Sequence, residues 1–183
     1  MKKIESLVKG LFVGGLLVWI NFVADAMAET HPNLASGTTL YQMGNPNAPV
    51  CIHEFSSFTC SHCGTYHVEV FPKLKREFID TGKVHYSKHA FPLDAVALKA
   101  TQVAHAKGPL VYSKMADILF ARQNEWAFSS DPRKALKRMG PMAGVTEEEV
   151  DKALDDQNLA KSILTERLEA QKQFGVTATP TFI

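Results

Sequence analysis

The sequence predicts an α/β fold, and three observations predict it. A short apolar run, Val50-Cys51-Ile52-His53-Glu54-Phe55, leads into Cys60-Ser61-His62-Cys63, and a helical pattern of Tyr66, Val68, Phe71, Leu74, Phe78 and Ile79 follows. An alternating segment, Val84 to Lys88, comes next, which makes strand, helix, strand. From Asp94 to Phe174 the pattern is helical, and after Pro180 the chain returns to β-forming residues.

Composition bounds the rest. The chain has 183 residues, 45% of them hydrophobic, which is enough for one domain with a buried core. A net charge of +1 implies no nucleic-acid partner. Residues 1–28 are read as a signal peptide. Lys2, Lys3 and Lys9 make the basic start, Leu11 to Ile20 the apolar segment, and Ala26-Met27-Ala28 the cleavage site. An uncleaved anchor is the alternative, although the apolar run falls short of the roughly 20 residues that span a bilayer. Either way the domain is expected in an export compartment, where disulfides persist.

The elements follow in order. Residues 29–37 are a polar lead-in, and Thr38-Thr39-Leu40-Tyr41 is a short strand. Gly44 to Pro49 is a turn-rich connection, and residues 50–55 are a buried central strand. The first helix starts at the motif, with Thr59 or Cys60 as N-cap, and runs to about Asp80, with a kink or restart near Pro72. Val84 to Lys88 is the next strand, parallel to the first. Asp94 caps a helix that reaches Ala106, closed by Gly108-Pro109. A second runs from Leu110 to Arg122, with Val111, Met115, Ile118 and Leu119 on one stripe. A third opens at Asp131-Pro132 and ends at Met139. Thr146 with Glu149 forms a capping box for a fourth, and the last covers about Asn158 to Phe174, with Leu159, Ile163, Leu164 and Leu168 turned to the core. Gly175 stops it.

Dithiol exchange needs one thiolate that attacks and a second thiol that resolves the mixed disulfide. Two intervening residues let both sulfurs meet across the first helical turn. Cys60, at the helix start, is the expected nucleophile, because unpaired amide groups there stabilise a thiolate. Cys63, one turn in, is expected to be buried and to resolve. His62, when protonated, adds positive charge beside Cys60. A stabilised thiolate favours the dithiol, so the disulfide form oxidises its partners. Glu54 sits in an otherwise apolar strand, where an unpaired carboxylate is costly. It is either a proton acceptor for Cys63 or a strand-end glutamate without a role. Cys51 is read as a small buried hydrophobe. His67 shares a helix face with Cys60 and Cys63, which raises a metal site, but three ligands are too few for a closed zinc site and a packed helix-face histidine is preferred. His53, His85, His89 and His105 show no ligand spacing. No cofactor and no metal are expected.

Glu54 to Cys63, then Phe91-Pro92-Leu93, then the helical block, then Val176-Thr177-Ala178-Thr179-Pro180-Thr181-Phe182, together resemble the DsbA-like thiol:disulfide oxidoreductases. The resemblance implies a thioredoxin fold with an inserted all-helical domain: residues 38–92 and 175–183 form the thioredoxin-like part, and 93–174 the insertion. It implies Cys60 as nucleophile, Cys63 as resolving cysteine, His62 in the histidine position of the motif and Glu54 in the place of a buried glutamate. It also implies that Pro180 is a cis-proline opposite the motif, with Thr179 before it placed to pair with a substrate strand. Ser61 stands where the family usually has proline. The family continues with two strands and a closing helix, so the final strands and helix are expected to be missing from this sequence. The implied function is a periplasmic protein disulfide oxidoreductase. Its partners would be unfolded exported proteins with reduced cysteines and, for reoxidation, a DsbB-like quinone-linked membrane protein. An isomerase or reductase on the same fold, or a Cys/His metal carrier, are the alternatives.

Overall fold

The computed structural model describes residues 41–183. The expected signal peptide, the lead-in and Thr38 to Leu40 lie outside the described residues. Four strands form one mixed sheet in the order β1-β3-β2-β4. β1 is Tyr41–Gly44, β2 Val50–Ser56, β3 Val84–Ala90 and β4 Thr181–Phe182. β2 and β3 are parallel from Val50↔Val84 to Ser56↔Ala90, as the strand–helix–strand reading requires. β1 pairs antiparallel with β3, and β4 antiparallel with β2. Of the strand expected at Thr38 to Tyr41 only Tyr41 is among the described residues, and β1 carries on from it to Gly44, with Tyr41, Gln42 and Met43 opposite Lys88, Ser87 and Tyr86 of β3. Gly44 closes it at a φ of 88°, where a Cβ would stand 2.4 Å from the Val84 carbonyl oxygen. Only glycine combines that backbone with that approach.

Helix α1 spans residues 61–79 in four pieces. Ser61–Thr65 is α-helical, Tyr66–Val70 widens to a π turn, Phe71–Leu74 is α-helical again, and Lys75–Ile79 is a second π turn. The expected restart at Pro72 is there. Proline has no N–H and crowds the carbonyl four residues back. The chain widens just ahead of it, with the Phe71 N–H donating to the Tyr66 carbonyl oxygen.

The helices between β3 and β4 are α2 (Ala95–Ala104), α3 (Pro109–Ala121), α4 (Gln123–Trp126), α5 (Pro132–Ala143), α6 (Glu147–Asp155) and α7 (Gln157–Phe174). α2, α5 and α6 start at the caps read from the sequence, while α4 is an additional helix and α7 takes its cap from Asp156. Asp94, Asp131 and Asp156 each accept a backbone N–H in the first turn, and Thr146 with Glu149 completes a capping box. Two readings change. α5 runs past Met139 to Ala143, through Pro141, until Gly144 takes the left-handed conformation. On α7 only Ile163 and Ala170 are buried, while Leu164 and Leu168 are 40% and 51% exposed. A residue one step along a helix points about 100° away, so Leu164 cannot share the stripe of Ile163.

The largest core lies among the helices. Val103 of α2, Met115 and Leu119 of α3, Trp126 of α4, Leu136 of α5 and Val150 of α6 are fully buried there, and Cys63 of α1 belongs to it. Each large apolar side chain so buried contributes about 1.5–3 kcal/mol. A second cluster joins Phe71 and Ile79 of α1 to Val84 and Tyr86 of β3. Alternation along β2 turns Ile52 and Glu54 to the face of Tyr86 and Lys88, and turns Cys51, His53 and Phe55 to the other.

Candidate active site

Cys60 is the N-cap of α1, with extended backbone, and its sulfur accepts the Cys63 N–H at 3.4 Å. The turn ahead of it is fixed by polar bonds. The Cys60 N–H donates to the Ser57 carbonyl oxygen at 3.1 Å. The Thr59 hydroxyl donates to Asp94 at 2.6 Å, and the Leu93 N–H donates to Ser57 Oγ at 3.3 Å. From α4, the Gln123 amide donates to the carbonyl oxygens of Phe58 at 2.7 Å and of Cys60 at 3.0 Å. Gly64 leaves room for this, since a Cβ there would meet Gln123 Oε1 at 3.1 Å. The motif is thereby tied to the start of the helical block and to its middle.

Both thiols are free, and their surroundings differ. Cys60 is 9% exposed and Cys63 fully buried. Burial pushes the Cys60 thiol up, but its polar neighbours Thr179 and Cys63 and the backbone N–H groups of Cys63 and His62 outweigh it and hold it below 9.0. For Cys63, burial dominates, the hydrogen bond and charge of Cys60 add to it, and the thiol is pushed up to about 12. The contact from His62 to the Cys60 sulfur comes from its backbone, and its side chain is exposed.

The peptide bond Thr179–Pro180 is cis. The Thr179 carbonyl oxygen accepts the Cys60 thiol at 3.3 Å, across 119 residues of chain. β4 follows at once, and its pairing with β2 places Phe182 opposite Glu54. The structure therefore brings Cys60, Cys63 and Thr179 into one locus with Pro180 beside them.

Glu54 is 0% exposed, which removes the reading of it as a partly exposed strand-end residue. Its Oε2 accepts the Tyr86 hydroxyl at 2.8 Å, and Tyr86 is in turn 3.0 Å from the Tyr66 hydroxyl. Burial and the Glu54 charge raise Tyr86, and burial raises Tyr66 to about 12, so both stay neutral donors. Lys88, which the sequence reading passed over, is also buried. Its Nζ lies 3.9 Å from Glu54 Oε2 and 3.8 Å from the centre of the Phe71 ring. Burial lowers the Lys88 ammonium and the Glu54 charge opposes the shift. His67 is not simply packed on its helix. Its Nδ1 accepts Lys88 Nζ at 2.9 Å, and its Nε2 donates to Asp117 of α3 at 2.7 Å. Burial lowers the His67 imidazole, Asp117 raises it and Lys88 lowers it. A lysine flanked by serine and histidine in an alternating strand reads as a solvent-facing position. The register partner Glu54 was the signal that could have found it.

Cys51 corrects another expectation. It is half-buried, and its neighbours are polar: His53 Nε2 at 3.5 Å and His85 Nδ1 at 3.6 Å. Alternation puts these residues on one sheet face, and Ser87 and His89 join them through contacts of 2.6 Å and 3.1 Å to His53. Among the described residues no group of three or more His, Cys, Asp or Glu is arranged to hold a metal ion, and no helix is long and apolar enough to cross a membrane.

The thioredoxin family model matches residues 35–183. A curated relative from Rickettsia bellii, named "Putative protein-disulfide oxidoreductase", is 35% identical over 142 residues, which is 77% of this chain and 52% of the relative. The chain spans about half the length of the curated Rickettsia relatives it matches. Among solved structures, alpha-DsbA1 of Wolbachia pipientis is 32% identical with a TM-score of 0.72, covering 78% of this chain and 73% of that one. Oxidised BdbD of Bacillus subtilis, at 21% identity and a TM-score of 0.68 over 78% of this chain and 79% of that one, shares the fold.

Proposed function

The chain belongs to the DsbA-like branch of the thioredoxin family, and from that premise we propose that it is a protein disulfide oxidoreductase that donates a Cys60–Cys63 disulfide to other proteins. The observation that carries the reading is the unequal placement of the two thiols in one motif: Cys60 caps α1, with the Cys63 N–H and the Thr179 carbonyl oxygen at its sulfur, while Cys63 is fully buried one turn in. In the oxidised form a substrate thiolate attacks the Cys60 sulfur. The Cys60–Cys63 bond breaks, its electron pair leaves with Cys63, and Cys63 takes up a proton. A second substrate thiolate then attacks the substrate sulfur of the mixed disulfide, and Cys60 leaves as a stabilised thiolate. The substrate has lost two electrons and the protein holds them as a dithiol. Because the leaving Cys60 thiolate is stabilised, the balance favours oxidising the substrate.

Glu54 serves as the proton partner of the buried Cys63, and the Thr179 backbone, beside the Cys60 sulfur, receives the substrate strand next to Pro180. His62 adds charge at the exposed rim of the motif. The substrates are exported proteins with reduced cysteines in the periplasm, reached by way of the N-terminal signal segment, and a DsbB-like membrane partner returns the dithiol to the disulfide. The test is a trap. In Cys63→Ser the resolving thiol is gone; once Cys60 is loaded as its mixed disulfide with glutathione, a thiolate of a reduced, unfolded substrate attacks the Cys60 sulfur, glutathione leaves as its thiolate, and the Cys60–substrate mixed disulfide accumulates and is seen by mass on non-reducing gels. If Cys63→Ser forms no adduct while wild type leaves the substrate reduced, the reading fails.

A further inference from the structure

Glu54 is enclosed, and its Oε1 has no hydrogen-bond partner. A carboxyl so placed changes its protonation only if a proton has a way in and out. A line of polar atoms leads from it to solvent. Glu54 Oε2 lies 3.9 Å from Lys88 Nζ, Lys88 Nζ 2.9 Å from His67 Nδ1, and His67 Nε2 2.7 Å from Asp117 Oδ1. Side-chain exposure along the line is 0%, 4% and 5%, then 64% at Asp117. Phe71 stacks on the His67 ring at 5.3 Å and Phe120 lies at 4.7 Å, so the imidazole is walled by two aromatic rings.

We propose that His67 and Asp117 form a proton port for the buried Glu54–Lys88 pair, carrying one proton between that pair and solvent in each half of the redox cycle. The proposal rests on the reading of Glu54 as the proton partner of Cys63.

Donor roles in the chain follow from the chemistry. A charged amine only donates, so His67 Nδ1 accepts; a carboxylate only accepts, so His67 Nε2 carries hydrogen. When Cys63 gives up its proton, Glu54 takes it. Lys88 passes a proton to His67 Nδ1, His67 Nε2 passes one to Asp117, and the exposed Asp117 releases it to water. The Glu54 carboxyl proton then refills the Lys88 amine. Only N–H and O–H bonds change, and one proton has moved from Cys63 to solvent. Protonation of Cys63 in the other half-cycle retraces the steps, which returns His67 to its starting tautomer. The 3.9 Å gap exceeds hydrogen-bond length, so the Lys88 side chain must swing by about 1 Å to close it. The charged and titratable groups facing His67 are Lys88 from β3, Asp117 from α3 and Glu54 from β2. The competing account is a polar staple between α1, α3 and the sheet that only holds structure.

The port is tested with Asp117→Asn, whose side chain is largely exposed and keeps a hydrogen-bond partner for His67 but cannot shuttle a proton. His67→Asn is the second variant: its amide oxygen keeps a partner for Lys88 and loses Asp117. Exchange of the Lys88 Nζ protons with solvent, followed by NMR, should slow about a hundredfold or more in both variants, the lower end of the range for loss of a general acid–base group. Reduction of the oxidised proteins by dithiothreitol should slow in parallel, with a changed pH profile and a larger solvent isotope effect. Unchanged Lys88 exchange in Asp117→Asn overturns the port, whatever the redox assays show. Slowed exchange in a wild-type background that does not exchange disulfides overturns the oxidoreductase reading and leaves the port standing as a route to Glu54.

Discussion

Cys60 and Cys63 carry the same side chain and differ only in what surrounds them. Cys60 sits at a helix start, where N–H groups reach its sulfur, and Cys63 sits in an apolar core beside another thiol. The alkylation rate of each thiol against pH reads this directly, because only thiolate reacts. In the reduced protein Cys60 should be modified first, with a midpoint below 9.0, and Cys63 should resist until near pH 12. Equal rates at pH 8, resolved by mass spectrometry, would contradict the assignment of roles. At this scale the motif is legible in sequence because its logic is local: four consecutive residues on one helical turn. Lys88 and Gln123 are not, since each acquires its role from partners 34 and 63 or more residues distant. Glu54 is intermediate. Its burial cost is visible in the strand, and its partners are not.

Elements begin where the sequence says and end less predictably. A cap is a side chain bonding a backbone N–H three residues on, so Asp94, Asp131 and Thr146 announce their helices. Ends depend on packing, and α5 shows how. Its last turns lie under α6, with Gly140 at the contact, where a Cβ would stand 2.6 Å from Val150 Cγ2 and 3.0 Å from the Val145 carbonyl oxygen. Gly140→Ala should therefore destabilise the protein by about 1–3 kcal/mol despite the better helix propensity of alanine. A lower urea midpoint with unchanged slope would bear this out, and a midpoint equal to or above wild type would show that α6 moves aside freely. The exposed Leu164 and Leu168 on α7 teach the same point about faces: hydrophobic spacing marks a helix, while its neighbours choose the stripe.

For the molecule, folding has to keep buried histidines neutral, His105 and His89 among them. Burial pushes His105 down to about 4, and burial with the nearby His53 pushes His89 to about 3, from an ordinary 6.5. The unfolded chain binds these protons first as pH falls, so stability is full above about pH 6.5 and is lost progressively from there down through pH 4 for His105 and pH 3 for His89. His105→Phe, which keeps a ring beside Tyr112, should flatten the fall between pH 6.5 and 4 in chemical denaturation series. An unchanged slope would place the acid lability elsewhere. The α/β class and the parallel β2–β3 pair are legible in sequence, because a strand–helix–strand unit has few solutions. The approach of Thr179 to Cys60 is not derivable from patterns, since it joins segments 119 residues apart, and it enters only through the family resemblance.

The central claim is that this pair of unequal thiols is poised to oxidise. The equilibrium potential of the Cys60/Cys63 couple, measured against glutathione buffers, tests it most directly. The account predicts a value above about −180 mV, toward the oxidising end of the dithiol proteins, and a value near the thioredoxin end at about −270 mV would contradict it.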